Sequence, residues 1–173
     1  MAIRHHILLA ALAMLAAPLP ALAAPGGSVT VTGSASATVI RPISIVATAP
    51  LRFGVMARPT AAGTVTVNTA GVVTTSGGMV GNTAIAQGSA GPRAGTFRVT
   101  GEPGRQFFVT LPLAATVSRS GGGTMTINLF TVGALSGSPA GTRDIAVGGT
   151  LSVGAAQAVG TYNGTYQITA SYN

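Results

Sequence analysis

Few side chains in this 173-residue sequence could carry out chemistry. The chain has nine arginines, no lysine, no cysteine, one aspartate and one glutamate, and its two histidines are His5 and His6 at the start. Cysteine nucleophiles and lysine-dependent catalysis are therefore excluded. A serine triad would depend on one of these two N-terminal histidines.

The two carboxylates, Glu102 and Asp144, are the remaining candidates for acid–base catalysis. A glycosidase, for example, needs two carboxylates that flank one bond. Glu102 lies in a turn-forming sequence and Asp144 follows Arg143 at the start of a strand pattern, so we expect both to be solvated surface charges. We therefore predict a protein that is not an enzyme and that has no catalytic residue, metal or cofactor.

The first 23 residues have the organisation of a secretory signal peptide. Arg4 provides a basic start, residues 7–17 form an apolar run, and the small residues at 21–23 fit a cleavage site. The apolar run is shorter than the roughly 20 residues that span a bilayer, and no second run follows. Cleavage would leave a mature chain from Ala24 with eight arginines against two carboxylates. We predict export through the periplasm to the cell surface or the extracellular space.

The arginines of the mature chain are spread from Arg41 to Arg143. Nucleic-acid binding needs a clustered basic surface, usually with aromatic platforms, and neither is visible in the sequence. We predict no nucleic-acid partner; weak attraction to anionic glycans or lipid head groups is an alternative.

Strand-like patterns between turn residues predict an all-β, immunoglobulin-like Greek-key β-sandwich. The chain contains 25 glycines and 10 prolines, and no helical apolar stripe longer than two turns follows the leader. Pro103-Gly104 predicts a type II turn that closes a hairpin. The predicted strands are Leu51–Val55, Thr64–Asn68, Val72–Thr75, Phe97–Thr100, Phe107–Leu111, Thr124–Phe130, Ile145–Val147 and Thr150–Val153.

Two runs of strict polar–apolar alternation lie near the ends of the mature chain. Residues 28–39 would extend about 40 Å as one strand, twice the usual strand length. We expect this run to bend at Gly33, change sheets or leave the domain. Residues 24–34 are therefore predicted to be either an N-terminal extension or a first strand. Residues 35–173 are predicted to form one domain. Residues 161–172 predict a last strand whose inward face carries Tyr162, Tyr166, Ile168 and Tyr172.

Both ends also carry a family resemblance. The matching segments are Ala35–Val39, Pro42–Ile45 and Leu51–Gly54 in the first half, and Gly149–Val153, Gly160–Tyr162 and Gly164–Asn173 in the second. They resemble a secreted bacterial β-sandwich family labelled as a domain of unknown function. That family is similar to spore coat protein U-type domains and to chaperone–usher pilin subunits. The cysteine pair of coat protein U-type domains and many pilins is absent.

The resemblance to pilins implies an immunoglobulin fold that lacks its final strand and is completed by a neighbour's N-terminal extension, which is β-strand addition. Pilins commonly have a penultimate tyrosine and a glycine fourteen residues from the end, the positions of Tyr172 and Gly160 here. The donated segment would be 28–34, with Val29 and Val31 facing inward and Gly33 where a small residue is needed.

The resemblance thus implies a structural subunit of a surface fibre or coat. Its partners would be further copies or related subunits, a periplasmic chaperone and an outer-membrane usher. The alternative is an exported cell-envelope binding domain or adhesin that acts as a monomer.

Overall fold

A computed structural model describes residues 26–27, 30–79, 91–133 and 141–173. The chain divides into two compact units, Met1–Thr38 and Val39–Asn173. In the first unit, residues 30–38 form no strand and are exposed. Val31 is 84% exposed, and a Cβ atom added to Gly33 would meet no heavy atom within 4 Å. The leader, Ser28 and Val29 lie outside the described residues.

The described part of the second unit contains nine strands and no helix. These strands form because β-branched residues recur at every second position between glycine-rich turns. In chain order they are β1 (Ser44–Ala49), β2 (Gly63–Val67), β3 (Val73–Gly77), β4 (Gly95–Thr100), β5 (Phe107–Thr110), β6 (Ala114–Ser118), β7 (Thr124–Val132), β8 (Thr142–Val153) and β9 (Thr169–Tyr172).

The strands form two antiparallel sheets, and the prediction of an all-β sandwich is confirmed. The larger sheet has the order β1-β4-β8-β2-β3, with β7 also paired to β8 and β6 paired to β7. The smaller sheet consists of β5 and β9. Most neighbours are distant in sequence, so long connections cross between strands, as Greek-key architectures require.

Two clusters of buried side chains make up the core. The first contains Val65, Met79, Met125, Ile127, Leu151 and Val153. The second contains Val99, Phe107, Val109 and Ile145 and joins the two sheets. Each such side chain contributes about 1.5–3 kcal/mol by leaving water. With no cysteine in the chain, no disulfide adds to the stability of this core.

Strand β8 merges two of the predicted strands, because Gly148 and Gly149 continue the pairing between them. A Cβ atom at Gly148 would lie 2.4 Å from the carbonyl oxygen of Val67, so only glycine lets β2 approach this closely. The N-terminal half of β8 pairs with β4 and its C-terminal half pairs with β2. The glycine pair therefore allows β8 to pair with β4 along its first half and with β2 along its second half.

The predicted hairpin between β4 and β5 is wrong, although the turn between them is present. Arg105 N donates to Glu102 O at 3.2 Å, and Gly104 has φ of 76°, as a type II turn requires. Both edges of β4 are occupied by β1 and β8. The turn therefore sends the chain into the other sheet, where β5 pairs with β9.

Two further strand predictions also differ from the structure. Leu51–Val55 is not a strand, and its only bridge within the described residues joins Arg52 to Arg93. The last strand is confined to β9, while residues 161–168 form no continuous ladder. Strand β6, which the sequence did not indicate, pairs with β7 in the larger sheet.

Candidate functional site

A groove of about 750 Å³ opens onto the first core cluster. Its floor consists of apolar side chains from β7 and β8, namely Met125, Ile127, Leu151 and Val153, together with Val117 of β6. The first four belong to the buried core, and Leu151 is only 3% exposed. The bottom of the groove is therefore formed by core side chains that retain little exposure to solvent.

Residues 50–59 form the first wall of the groove. Pro50 and Pro59 bracket the segment, and no residue between them belongs to a strand. Arg52 exchanges two backbone hydrogen bonds of 2.9 Å with Arg93. Phe53 packs inward against the core cluster. The wall is thus anchored at Arg52 and contains no continuous strand.

The second wall includes the beginning of the C-terminal alternating run, namely residues 160–164 and Tyr166. Between 161 and 168, the backbone is bridged only at Asn163, which exchanges hydrogen bonds of 2.8 and 2.9 Å with Ser118 of β6. The side chains nevertheless alternate as predicted, since Tyr162, Tyr166 and Ile168 are partly buried and the polar residues between them are exposed. The run therefore has the side-chain pattern of a strand without its ladder.

A side-chain clamp fixes the turn that leads into this wall. The hydroxyl of Tyr162 donates to Ala158 O at 2.7 Å and accepts from Gln157 Nε2 at 2.8 Å. Gln157 Nε2 also donates to Thr124 O at 3.2 Å. The clamp thus ties the rim of the groove to the start of β7.

Gly160 lies on the same rim, in a conformation that favours glycine. Its φ is 144°, and an added Cβ atom would lie 3.1 Å from Cδ of Arg119. A side chain at this position would be strained and would press on Arg119. Gly160, which the resemblance to pilins singled out, thus lines the groove.

Tyr166 lies at the groove wall between two phenylalanine rings. Its ring centroid is 5.9 Å from that of Phe97, edge-on, and 5.1 Å from that of Phe130. Its hydroxyl oxygen is buried and has no hydrogen-bond partner among the described residues. Burial raises the pKa of Tyr166 above its usual value. The aromatic contacts hold the ring although its polar end is not satisfied.

The charge of the groove is positive. Arg52 and Arg58 are the charged residues among those that line it. Both side-chain carboxylates of the chain are engaged elsewhere. Asp144 accepts two hydrogen bonds from Arg98, at 2.7 and 2.9 Å, on the exposed face of the larger sheet. The hydrogen bond from Arg98 lowers the pKa of Asp144, and the same bond raises the pKa of Arg98.

Glu102 belongs to a separate cluster around Tyr172. Its carboxylate accepts from Arg41 N at 3.0 Å, and its backbone N–H donates to the Tyr172 hydroxyl. That hydroxyl in turn donates to Arg41 O at 2.9 Å. Arg105 lies over the tyrosine ring, 5.9 Å from its centroid. Tyr172 therefore joins the chain before β1, the turn after β4 and the C-terminal strand.

Two of the predicted assembly residues, Gly160 and Tyr172, lie at different places in the second unit. Gly160 lines the groove, whereas Tyr172 lies in the cluster around Glu102 within the same unit. Val31 and Gly33 lie in the first unit, and Val29 is outside the described residues. An assembly role for any of them stays a prediction.

Sequence reasoning missed the opening itself. The predicted strands Thr124–Phe130 and Thr150–Val153 contain the four core side chains at its floor, but the strand patterns did not indicate a groove beside them. The one local signal was the bracketing of residues 50–59 by two prolines, which cannot donate to a ladder.

Two searches of the described residues give negative results. No group of three or more histidine, aspartate or glutamate side chains could hold a metal ion there. No helix in that part of the chain has the length and apolar character needed to cross a membrane.

Comparison with known proteins places the second unit in a family. Neither the curated proteins nor the solved structures give a match. The family model described as "Domain of unknown function (DUF4402)" matches residues 43–172, a range that holds all nine strands and both walls of the groove. The chain therefore belongs to the DUF4402 family.

Proposed function

We propose that this protein is a non-catalytic, exported structural subunit of a surface fibre or coat, and that it assembles by β-strand addition. The observation that carries the proposal is the groove, where core side chains form the floor and a strand-like run without a ladder forms one wall. An extended segment inserted there would cover the apolar floor and pair with the open backbone groups.

The dimensions support an extended occupant. The part of the wall from Thr161 to Tyr166 would cover about 20 Å if fully extended, and the seven-residue segment 28–34 would cover about 23 Å in the same conformation. Small and branched apolar residues at every second position of that segment suit an apolar floor, while its threonines would face outward. A neighbour's residues 28–34 would thus be long enough to span the wall.

The family resemblance supports the same assembly. The terminal patterns of this chain resemble those of chaperone–usher pilins, which commonly have a glycine and a tyrosine at the positions of Gly160 and Tyr172. In such a system the leader directs export, a periplasmic chaperone holds the subunit, and an outer-membrane usher passes it to the cell surface. These partners are part of the proposal.

Substitutions at adjacent positions of the donor segment test this function. In the mature chain, Val31→Asp would place a carboxylate on the apolar floor, where burial of an unpaired charge is costly. Thr32→Asp places the same charge on the outward face and serves as the matched control. We expect Val31→Asp to abolish the polymers that size-exclusion chromatography and electron microscopy detect, whereas Thr32→Asp keeps them.

A second measurement separates the proposal from the alternative of a monomeric envelope-binding domain. Deletion of Ser28–Ser34 is expected to leave a folded subunit that cannot polymerise. If the full mature chain stays a monomer at high concentration, and its residues 28–34 are protected from hydrogen exchange within that monomer, strand addition between subunits is refuted.

A further inference from the structure

Two side chains from distant parts of the chain hold the backbone of Arg41, just before β1 begins. Arg41 N donates to the Glu102 carboxylate at 3.0 Å, and Arg41 O accepts from the Tyr172 hydroxyl at 2.9 Å. The next residue, Pro42, has no N–H group that could donate to a ladder. Side chains therefore hold the chain at a place where strand pairing does not.

These two side chains are themselves anchored in the sandwich. Tyr172 is the last residue of β9, where it pairs with Phe107 of β5, and its ring packs against the second core cluster. Glu102 lies in the turn after β4, and its N–H donates to the Tyr172 hydroxyl. A Cβ atom at Gly101 would collide with that hydroxyl oxygen, so only glycine leaves room for it. We call Glu102, Tyr172 and the backbone of Arg41 the tether site.

The tether site shortens the free part of the chain in front of the sandwich. Residues 35–40 lie between the proposed donor segment 28–34 and Arg41, and these six residues reach about 20 Å when extended. Without the tether site, the first anchored residue would be Ile43, whose side chain packs against the second core cluster. The linker would then gain two residues and reach about 26 Å. The tether site therefore restricts how far a neighbour's groove can lie from the fold that donates the strand.

We infer that Glu102 and Tyr172 are positioning residues for assembly, because they fix the point from which each subunit tethers its donor segment. The inference rests on the proposed function, since it assumes that segment 28–34 joins two subunits. Neither residue lines the groove, so loss of either side-chain contact should leave strand addition itself intact. It should instead loosen the connection between successive subunits, because a longer flexible linker allows more relative positions.

Single substitutions that release one half of the tether site test the inference in the mature full-length chain. Glu102→Ala removes the acceptor of Arg41 N, and Tyr172→Phe removes the hydroxyl that donates to Arg41 O. We expect both variants to polymerise as fully as the unmodified chain, but their fibres should have a shorter persistence length in electron micrographs. In Glu102→Ala, hydrogen exchange of the Arg41 amide should be at least about tenfold faster by mass spectrometry, because a hydrogen bond to a charged group is lost.

Two control variants separate tethering from stability. Ile145→Val removes one methylene group from the second core cluster, outside the groove lining, and leaves the hydrogen bonds of the tether site in place. It should lower the stability of the fold and keep the fibres as stiff as those of the unmodified chain. Insertion of Gly-Ser between Val39 and Ile40 lengthens the linker by two residues without touching the tether site. This insertion should reproduce the flexible fibres.

The outcomes distinguish this inference from the proposed function. If the fibres of the two tether-site variants are as stiff as those of the unmodified chain, the inference is overturned and strand addition stands. Equally flexible fibres from Ile145→Val also overturn it, because reduced stability would then be the cause. Loss of polymers in the two tether-site variants overturns it as well, because the residues would then be needed for strand addition itself.

The insertion variant decides the matter if a tether-site variant does not fold. Stiff fibres from the insertion variant mean that linker length does not control the connection between subunits, and the inference fails. If the unmodified mature chain forms no polymers, the proposed function fails, and the positioning role fails with it.

Discussion

Removal of one hydroxyl group from Tyr166 should stabilise this protein. The hydroxyl is buried without a hydrogen-bond partner among the described residues, yet the ring is held by Phe97 and Phe130. A buried polar group that makes no hydrogen bond costs about 1–3 kcal/mol. Tyr166→Phe keeps the ring and removes that cost, while the space left by one oxygen atom costs only about 0.3 kcal/mol. We expect a net gain of roughly 1 kcal/mol in the free energy of unfolding.

Tyr162→Phe is the matched control, because it removes the same hydroxyl group from a position where that group is hydrogen-bonded. The Tyr162 hydroxyl donates to Ala158 O and accepts from Gln157 Nε2. Removal of a hydroxyl in that position should cost about 1 kcal/mol or more, because its partners lose their bonds. The two variants should therefore change stability in opposite directions and differ by about 2 kcal/mol in total.

Urea unfolding of the two variants and of the unmodified mature chain measures these changes. In thermal unfolding of a domain of this size, the same 2 kcal/mol corresponds to a difference of roughly 4–8 °C in Tm. If Tyr166→Phe is destabilising to the same extent as Tyr162→Phe, then the Tyr166 hydroxyl is satisfied in the folded protein and our description of this wall is wrong.

The pH dependence of stability gives an independent test. Burial raises the pKa of folded Tyr166 above the ordinary value of 10.0. Above that pH the unfolded chain loses the proton first, so the unfolded state is favoured and stability falls as the pH rises. This loss of stability is absent below pH 10 and should grow progressively above it. Tyr166→Phe should reduce the loss of stability above pH 10. If the variant and the unmodified chain lose the same stability there, burial of the Tyr166 hydroxyl is not the cause.

Three further predictions concern the leader, the groove rim and the C-terminal cluster. Mass spectrometry of the protein from its native host should show an N-terminus at or near Ala24, and an intact leader on the recovered protein would contradict export. Gly160→Ala should lower the free energy of unfolding by about 1–3 kcal/mol, because its φ of 144° is unfavourable for other residues; an unchanged urea midpoint would argue against this rim geometry. Tyr172→Phe should lower the free energy of unfolding by about 1 kcal/mol, since the hydroxyl is hydrogen-bonded to Arg41 and Glu102. An unchanged free energy of unfolding would mean that these hydrogen bonds do not stabilise the fold.

Local patterns predicted much of the fold correctly. Period-2 alternation identified β2, β3 and β7 to within about two residues at most boundaries, because burial on one face of a sheet requires that period. The same rule assigned the inward residues of the C-terminal run, including Tyr162 and Tyr166. Turn chemistry placed the turn at Pro103-Gly104, since glycine there has a positive φ.

Pairing between strands was beyond the reach of local patterns. The hairpin between β4 and β5 was predicted from the turn alone, but both edges of β4 were already occupied. The predicted strand at Leu51–Val55 has suitable residues and no continuous partner. An alternating run becomes a strand only if another strand lies beside it, and that depends on long-range contacts.

The sequence by itself determined what this protein lacks and which faces are buried. The chain has one aspartate, one glutamate, no lysine and no cysteine, and alternation predicts which side chains point inward. Only the tertiary structure decided that a groove opens beside these core side chains of β7 and β8, and that Arg52 and Arg58 line it. The physical reason is that alternation depends on neighbours along one strand, whereas a groove depends on how segments that are distant in the sequence pack together.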